Sequence, residues 1–211
     1  MVGQNRYISD AVIRILPRYY RYLGELLNSG VTRVSSGELS ERMGSTASQI
    51  RQDFNHFGGF GQQGYGYNVE LLYKEIGAIL GMDHAHDVII IGAGHIGKAL
   101  VNYPNFVKRG FNITAIFDKD PRLIGTQVSE LTVLSVDDLD EYLQAHPADI
   151  AVLAIPKLQA KEMAERLCSL GIQGIWNFAS TDLEFDTDTC VVENVHLTDS
   201  LLRLSYRLNN R

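Results

Sequence analysis

Gly92-Ala93-Gly94-His95-Ile96-Gly97 follows directly on the apolar run Asp87-Val-Ile-Ile-Ile91, and a helical pattern then runs from about His95 towards Arg109. A strand, a glycine turn and a helix in that order form the setting in which G-x-G-x-x-G holds a dinucleotide. Gly92 allows the tight turn, Gly94 lets the backbone approach a pyrophosphate, and Gly97 lets the helix pack on the strand. The first N–H groups of the helix, around Ala93, His95 and Ile96, are then free to face phosphate. The next apolar run, Ile113-Thr-Ala-Ile-Phe117, ends at Asp118, with Lys119 after it. Asp118 lies about 20 residues beyond the glycines, where a carboxylate accepts hydrogen bonds from the adenosine ribose and would repel a 2′-phosphate. The spacing therefore predicts NAD+ or NADH as cofactor.

A second constellation lies nearer the N-terminus. Thr46-Ala-Ser-Gln49 has the form of a capping box opening a helix. In that helix Ile50, Phe54 and Phe57 share one face, so Ser48, Gln49, Arg51, Gln52 and Asn55 point elsewhere. Ser36 is placed to cap a short preceding helix over 37–43, which Gly44 stops. Two helices joined by a tight glycine turn, the second displaying Arg, Gln and Asn, make a helix-turn-helix. Gln and Asn can read adenine edges, and Arg can read guanine or hold phosphate. Gly58-Gly-Phe-Gly-Gln-Gln-Gly-Tyr-Gly-Tyr67 suits the hairpin wing of a winged helix. A plain helical bundle with a solvated polar face is the competing interpretation.

The rest of the chain supplies the frame. A long helical pattern spans 8–28, with Pro17 near a break and Ser29-Gly30 at its end. Beyond the polar segment Gly81-Met-Asp-His-Ala-His-Asp87, short apolar runs alternate with helical stretches. Ser135-Val-Asp-Asp138 opens a helix towards His146. Ile150-Ala-Val-Leu-Ala-Ile155 is a buried strand stopped by Pro156, a helix covers 157–170, and Gly174-Ile-Trp-Asn-Phe178 is a further strand. That alternation predicts a doubly wound parallel sheet. A last helix from Thr198 to about Asn209 carries Leu197, Leu201, Leu204 and Leu208 on one stripe, which Leu202 and Tyr206 widen. Such a stripe docks either on its own sheet or on a partner chain, and the widened apolar surface favours the partner. The predicted domains are 1–81, 82–196 and a terminal helix at 197–211.

Composition agrees with a globular protein: 211 residues, 45% hydrophobic, 21% charged and a net charge of −6. Collagen-like, low-complexity and disordered classes are excluded. The charge is uneven, since residues 1–81 hold eight basic against seven acidic side chains and the remainder eleven against eighteen. Nucleic acid is thus permitted on a local basic face but not demanded. No apolar run is long enough for a membrane helix. The first ten residues lack the form of a signal peptide. Cys168 and Cys190 stand apart from any Cys-x-x-Cys spacing and are expected as small buried hydrophobes in a reducing cytoplasm. His84 and His86 lack a third nearby ligand, so a solvated linker is expected there and no metal.

The residues resemble the Rex family of bacterial redox-sensing transcriptional repressors, over nearly the whole chain. The likeness rests on Leu16-Pro-Arg-Tyr-Tyr-Arg-Tyr-Leu23, Arg33-Val-Ser-Ser36, Gln49-Ile-Arg-Gln-Asp-Phe54, Phe57-Gly58, Gly64-Tyr-Gly-Tyr67, the glycine turn, Asn177-Phe-Ala179 and Val192-Glu-Asn-Val195. It implies an α/β protein with an N-terminal winged helix-turn-helix domain, a Rossmann-like doubly wound parallel sheet and a domain-swapped C-terminal helix. It further implies a homodimer that binds double-stranded operator DNA when NADH is scarce and leaves it when NADH binds. Tyr103, Ile155, Pro156 and Phe178 would stand close to the nicotinamide, and Asn177 would join the cofactor-binding residues. Arg14, Arg33, Ser35, Ser36 and Thr46 would join the recognition-helix residues on DNA, with Gln62, Gln63 and Gly64 in the wing.

Two positions depart from the family pattern. Gln62-Gln63 stands where wings of the family carry basic residues, which predicts a shallower salt dependence. His196 stands where an acid usually follows Glu-Asn-Val, so a pairing of Arg21 with that position would be lost, with Asp199 one turn along. No substrate domain follows the dinucleotide-binding pattern, which weighs against the other class considered, a small NAD-dependent oxidoreductase with an N-terminal dimerisation domain. A regulator sensing another adenine nucleotide, such as an acyl-CoA, is the third interpretation.

Overall fold

The computed structural model describes residues 9–55, 61–62, 65–184 and 190–210. It divides into two compact units, one ending at His84 and the other beginning at Ala85. That division falls inside the polar segment expected to link the domains.

The N-terminal unit is built on α1 (Asp10–Asn28), which buries Val12, Leu16, Tyr19 and Leu23 along one face. Pro17 does not break it. The proline ring sits on the exposed side, and the buried stripe on the opposite face holds the helix through the missing hydrogen bond. Ser35 rather than Ser36 caps α2 (Ser36–Met43), in a complete capping box with Glu38. The Ser35 N–H bond to the Glu38 carboxylate holds that acid below its ordinary range. Gly44 ends α2 in the left-handed conformation, at φ 62°. α3 (Ala47–Asn55) follows after three residues and buries Ile50 and Phe54; Phe57, expected on that face, lies outside the described residues. Three short strands, β1 (Arg33–Val34), β2 (Gly61–Gln62) and β3 (Gly66–Asn68), form an antiparallel sheet in the order β1-β3-β2. α4 (Val69–Ile79) closes the unit, its N-terminus capped by the Asn68 side chain. A helix-turn-helix followed by an antiparallel ribbon is the layout of a winged helix.

The C-terminal unit is a seven-stranded sheet in the order β10-β9-β8-β4-β5-β7-β6. Its strands are β4 (His86–Ile91), β5 (Phe111–Asp118), β6 (Gln127–Val128), β7 (Leu131–Ser135), β8 (Ile150–Leu153), β9 (Gly174–Asn177) and β10 (Val191–Asn194). All neighbours are parallel except β6 with β7. α6 (Leu139–Ala145) and α7 (Lys157–Ser169) cover one face, over Ile89, Ile91, Ala151 and Leu153. α5 (His95–Val101) lies with the other, over Val88, Ile90 and Val152. α8 (Leu197–Asn209) ends the chain and buries none of its residues.

Several elements differ from the sequence expectation. α5 stops at Val101 instead of running on to Arg109, because Pro104 disfavours helical backbone at Tyr103; a separate 3₁₀ turn covers Val107–Arg109. β6, β7 and β10 did not stand out in the sequence, being short or half-exposed. Cys168 and Cys190 form a disulfide. The pairing is invisible to residue spacing, because it depends on β10 lying beside β9 and so starting under the last turn of α7.

Candidate functional site

β4 pairs with β5 on one side and β8 on the other, and the connections leaving the C-terminal ends of β4 and β8 run in opposite directions, to β5 and to β9. Open α/β sheets form their ligand crevice at such a switch point. A cleft of about 570 Å³ occupies it here, lined by Gly92, Gly94, Asp118, Lys119, Ile155 and Pro156, with Asp120, Arg122, Ala154, Gln159 and Met163 among the remainder.

The glycines shape this cleft in three different ways. Gly92 has φ 107°, and a Cβ there would strike the Ala154 carbonyl oxygen. A Cβ on Gly97 would strike the Gly92 carbonyl oxygen, so the helix can start this close to the strand only without one. Gly94 is the opposite case: a Cβ would meet nothing within 4 Å, so its missing side chain leaves open space in the cleft. Two glycines therefore serve packing, while the third leaves the cleft open.

Asp118 ends β5 beside that turn. Its Oδ2 accepts a hydrogen bond from the Ala93 N–H at 2.7 Å and its Oδ1 one from the Asp120 N–H at 2.8 Å. Each carboxylate oxygen retains acceptor capacity, so the residue can brace the glycine turn and still receive ribose hydroxyls. Arg122 binds both oxygens of Asp120, at 2.9 Å from Nε and 2.6 Å from Nη2, and that bonding holds the Asp120 carboxyl down at about 2. The guanidinium is thereby matched by its own acid, and the cleft keeps the Asp118 carboxylate beside the exposed Lys119. Asp120 and Arg122 were missed in the sequence. Their signal was the Asp-x-Asp pattern after the strand, in which the second acid can claim the following Arg.

The other expected cofactor residues are not part of this lining. Ala93 is buried in the turn, and His95 and Ile96 are exposed at the start of α5. Tyr103, half-exposed, begins a file of rings: Tyr103 to Phe106 at 4.8 Å, Phe106 to Trp176 at 5.7 Å and Trp176 to Phe178 at 4.6 Å. Asn177 is fully buried, and its amide bonds are made within the protein. Nδ2 donates to the Thr181 carbonyl and Asn194 Oδ1, and Oδ1 accepts from the Ala179 N–H. Its side chain is an anchor for the turn after β9. His196, the position that departs from the family, stands 2.7 Å from the Asp182 carboxylate.

In the N-terminal unit, Ser48, Gln49, Arg51, Gln52 and Asn55 are all exposed on α3, and Arg14 is exposed on α1. Thr46 Oγ1 accepts from the Gln49 N–H at 3.2 Å, while the Gln49 side chain turns instead to Asp53. Arg51 donates to Ser36 Oγ at 3.1 Å, and Arg33 to the Tyr65 carbonyl at 3.2 Å. Ser35 is engaged in the cap of α2. Gln62 lies on β2, but its side chain, with Gln63 and Gly64, is outside the described residues.

Comparison with known proteins adds independent findings. A family profile described as "CoA binding domain" matches residues 83–181, and one described as "Putative DNA-binding protein N-terminus" matches 7–55. A redox-sensing transcriptional repressor Rex of Clostridioides difficile is 54% identical, covering 98% of this chain and 97% of its own. The crystal structure of RSP, a Rex-family repressor, in complex with NAD+ and operator DNA is similar at a TM-score of 0.89 and 54% identity, over 97% of this chain and 94% of that one. The same repressor in complex with NADH gives a TM-score of 0.89 at 51% identity, over 96% and 95%.

Proposed function

The chain belongs to the Rex family of redox-sensing transcriptional repressors, and from that premise we propose that it reads the NADH/NAD+ balance and sets operator occupancy accordingly. It binds double-stranded operator DNA through α3 and its neighbours when NADH is low, and leaves it when NADH enters the cleft at the end of β4. The observation that carries this reading is the pairing within one chain of an exposed Arg, Gln and Asn face on a helix-turn-helix with a glycine-built cleft closed by Asp118. It works in the cytoplasm, where the DNA is. No helix among the described residues is long and apolar enough to cross a membrane.

NADH brings an uncharged nicotinamide ring where NAD+ carries a positive one. Ile155 and Pro156 give the cleft an apolar lining, which disfavours the charged ring through desolvation. The turn at Gly92–Gly97 takes the pyrophosphate and Asp118 the ribose. The chain acts as a homodimer, with α8 of each copy laid on the other. Leu197, Leu201, Leu204 and Leu208 are all more than half exposed on that helix. An apolar hollow of about 430 Å³, lined by Val88, Ile90, Val152 and Trp176 among others, opens on the same unit. Two dimer arrangements with different affinities for NADH and for operator then couple the sites, and the coupling is reciprocal.

Fluorescence anisotropy on an operator duplex, titrated at fixed salt with NADH, NAD+ and an acyl-CoA, tests the reading. Release by NADH alone is the expected result. Release by the acyl-CoA alone would move the ligand to another adenine nucleotide, and binding that ignores all three would overturn the sensing cleft.

A further inference from the structure

Asp53 is the only buried carboxylate among the described residues, 3% exposed on the inner face of α3 between Ile50 and Phe54. Both its oxygens are engaged. Oδ2 accepts from the Tyr19 hydroxyl on α1 at 2.8 Å, and Oδ1 accepts from Gln49 Nε2, one turn back on α3, at 2.7 Å. Gln49 itself is exposed in the first turn of α3. A glutamine amide has a donating and an accepting end, and a free one can turn either outward. A carboxylate held by two donors removes that freedom, because turning the amide over would set Oε1 against Asp53 Oδ1. That leaves Gln49 Oε1 to face outward, with the second Nε2 hydrogen beside it.

We propose that Asp53 is a specificity-determining positioning residue. By fixing the polarity of the Gln49 amide, it places Oε1 to accept from an exocyclic amino group in the major groove, adenine N6 or cytosine N4, where the keto oxygen of guanine or thymine would meet Oε1 acceptor to acceptor. The base code of the major groove separates these two pairs by the donor or acceptor presented at that position. The inference rests on the reading of α3 as the recognition helix and adds the chemistry that one of its residues recognises. Tyr19 donates to the other oxygen from α1, so the carboxylate that orients this amide also ties the two helices together.

The test uses the full-length protein and an operator obtained by selection from random duplex DNA. Base preference at each position is then compared for the parent, Gln49→Ala and Asp53→Asn. An asparagine at 53 keeps the shape and can accept from Tyr19 while donating to Gln49 Oε1, which turns the Gln49 amino group outward. The expected result is that Gln49→Ala flattens the preference at one base pair. Asp53→Asn should move it there from an amino-bearing to a keto-bearing base, by about tenfold, and have no such effect in the Gln49→Ala background. A purely structural role for Asp53 would lower affinity for all sequences alike, and that outcome overturns the proposal.

A second measurement needs no substitution at 53. On the parent protein, replacing the contacted adenine by purine, or the contacted cytosine by 2-pyrimidinone, removes the amino group and should cost about tenfold in affinity. Equal binding to every such analogue overturns the proposal. If Gln49→Ala leaves every base preference unchanged, Gln49 reads no base and the proposal falls. NADH-sensitive release of the operator by that same variant would then leave the repressor function standing.

Discussion

The cofactor cleft and the DNA face are built by different means. The cleft is a backbone construction: its shape depends on what cannot be present at Gly92 and Gly97, on an open space at Gly94, and on one carboxylate that ties the turn to the next strand. The proposed DNA face is a side-chain construction on a helix surface, where identity matters more than backbone and Asp53 holds the Gln49 amide from below. A site of the first kind tolerates few substitutions at few positions. One of the second kind tolerates many, but each changes what is recognised.

The sharpest way to break this contrast is at the two glycines that look alike in sequence. Gly97→Ala places a methyl group against the Gly92 carbonyl, so the turn or α5 must shift. The expected outcome is a loss of about 2–3 kcal/mol of stability in thermal or urea unfolding, together with the NADH response. Gly94→Ala meets nothing in the protein and has an ordinary φ of −73°, so stability should stay within about 0.5 kcal/mol while NADH binding falls at least about tenfold by calorimetry. Equal stability losses in both would mean that Gly94 serves packing as well.

A smaller and reciprocal pair separates the two units by function. Arg51→Ala should weaken operator binding by about tenfold or more with NADH affinity unchanged, since a guanidinium on α3 contributes contacts to guanine or phosphate. Asp118→Ala should weaken NADH by about tenfold and keep the operator occupied at NADH concentrations that release the parent. Anisotropy and calorimetry on both variants check this, and the reverse pattern would exchange the roles assigned to the two units.

The same contrast explains what the sequence disclosed. The glycine turn and Asp118 were legible because backbone constraints leave residue types at fixed spacing, and the apolar runs of β4, β5, β8 and β9 marked the sheet around them. Asp120 and Arg122 left only the fainter signal of an Asp-x-Asp pattern ahead of an Arg, because their pairing is local side-chain geometry that no helical or strand period marks. Asn177 was put forward for the cofactor, yet it is fully buried with its amide bonded inside the protein, which only the neighbouring turn and β10 could disclose. On α3 the exposed residues followed from the helical period. Asp53 lies on the same face as Ile50 and Phe54, and an acid at such a position already signals a buried polar clamp. The Cys168–Cys190 bond depends on strand order, a property of the whole sheet.

The smallest expected effect is one of pH, and it belongs to the N-terminal unit. Tyr19 is buried with its hydroxyl donating to Asp53, and burial first, then that bond and the carboxylate charge, push the phenol well above its ordinary value of 10. Tyr67 is pushed the same way by burial. A raised value in the folded state means that folding holds a proton which the unfolded chain releases above pH 10. The stabilisation is therefore complete below pH 10 and declines as pH rises beyond it, by up to about 1.4 kcal/mol per pH unit for each such group. Denaturant unfolding of the full-length protein between pH 8 and 11 should show no slope from these groups up to about pH 9.5 and a falling one above it, and Tyr19→Phe should reduce that slope. The substitution also leaves one oxygen of a buried carboxylate without its donor, so it should lower stability at neutral pH by about 1–3 kcal/mol. Base preference should stay as in the parent, because Gln49 still donates to Asp53. A parent slope that persists in Tyr19→Phe would assign the alkaline loss to Tyr67, whereas a change in base preference would place Tyr19 within the orienting clamp itself.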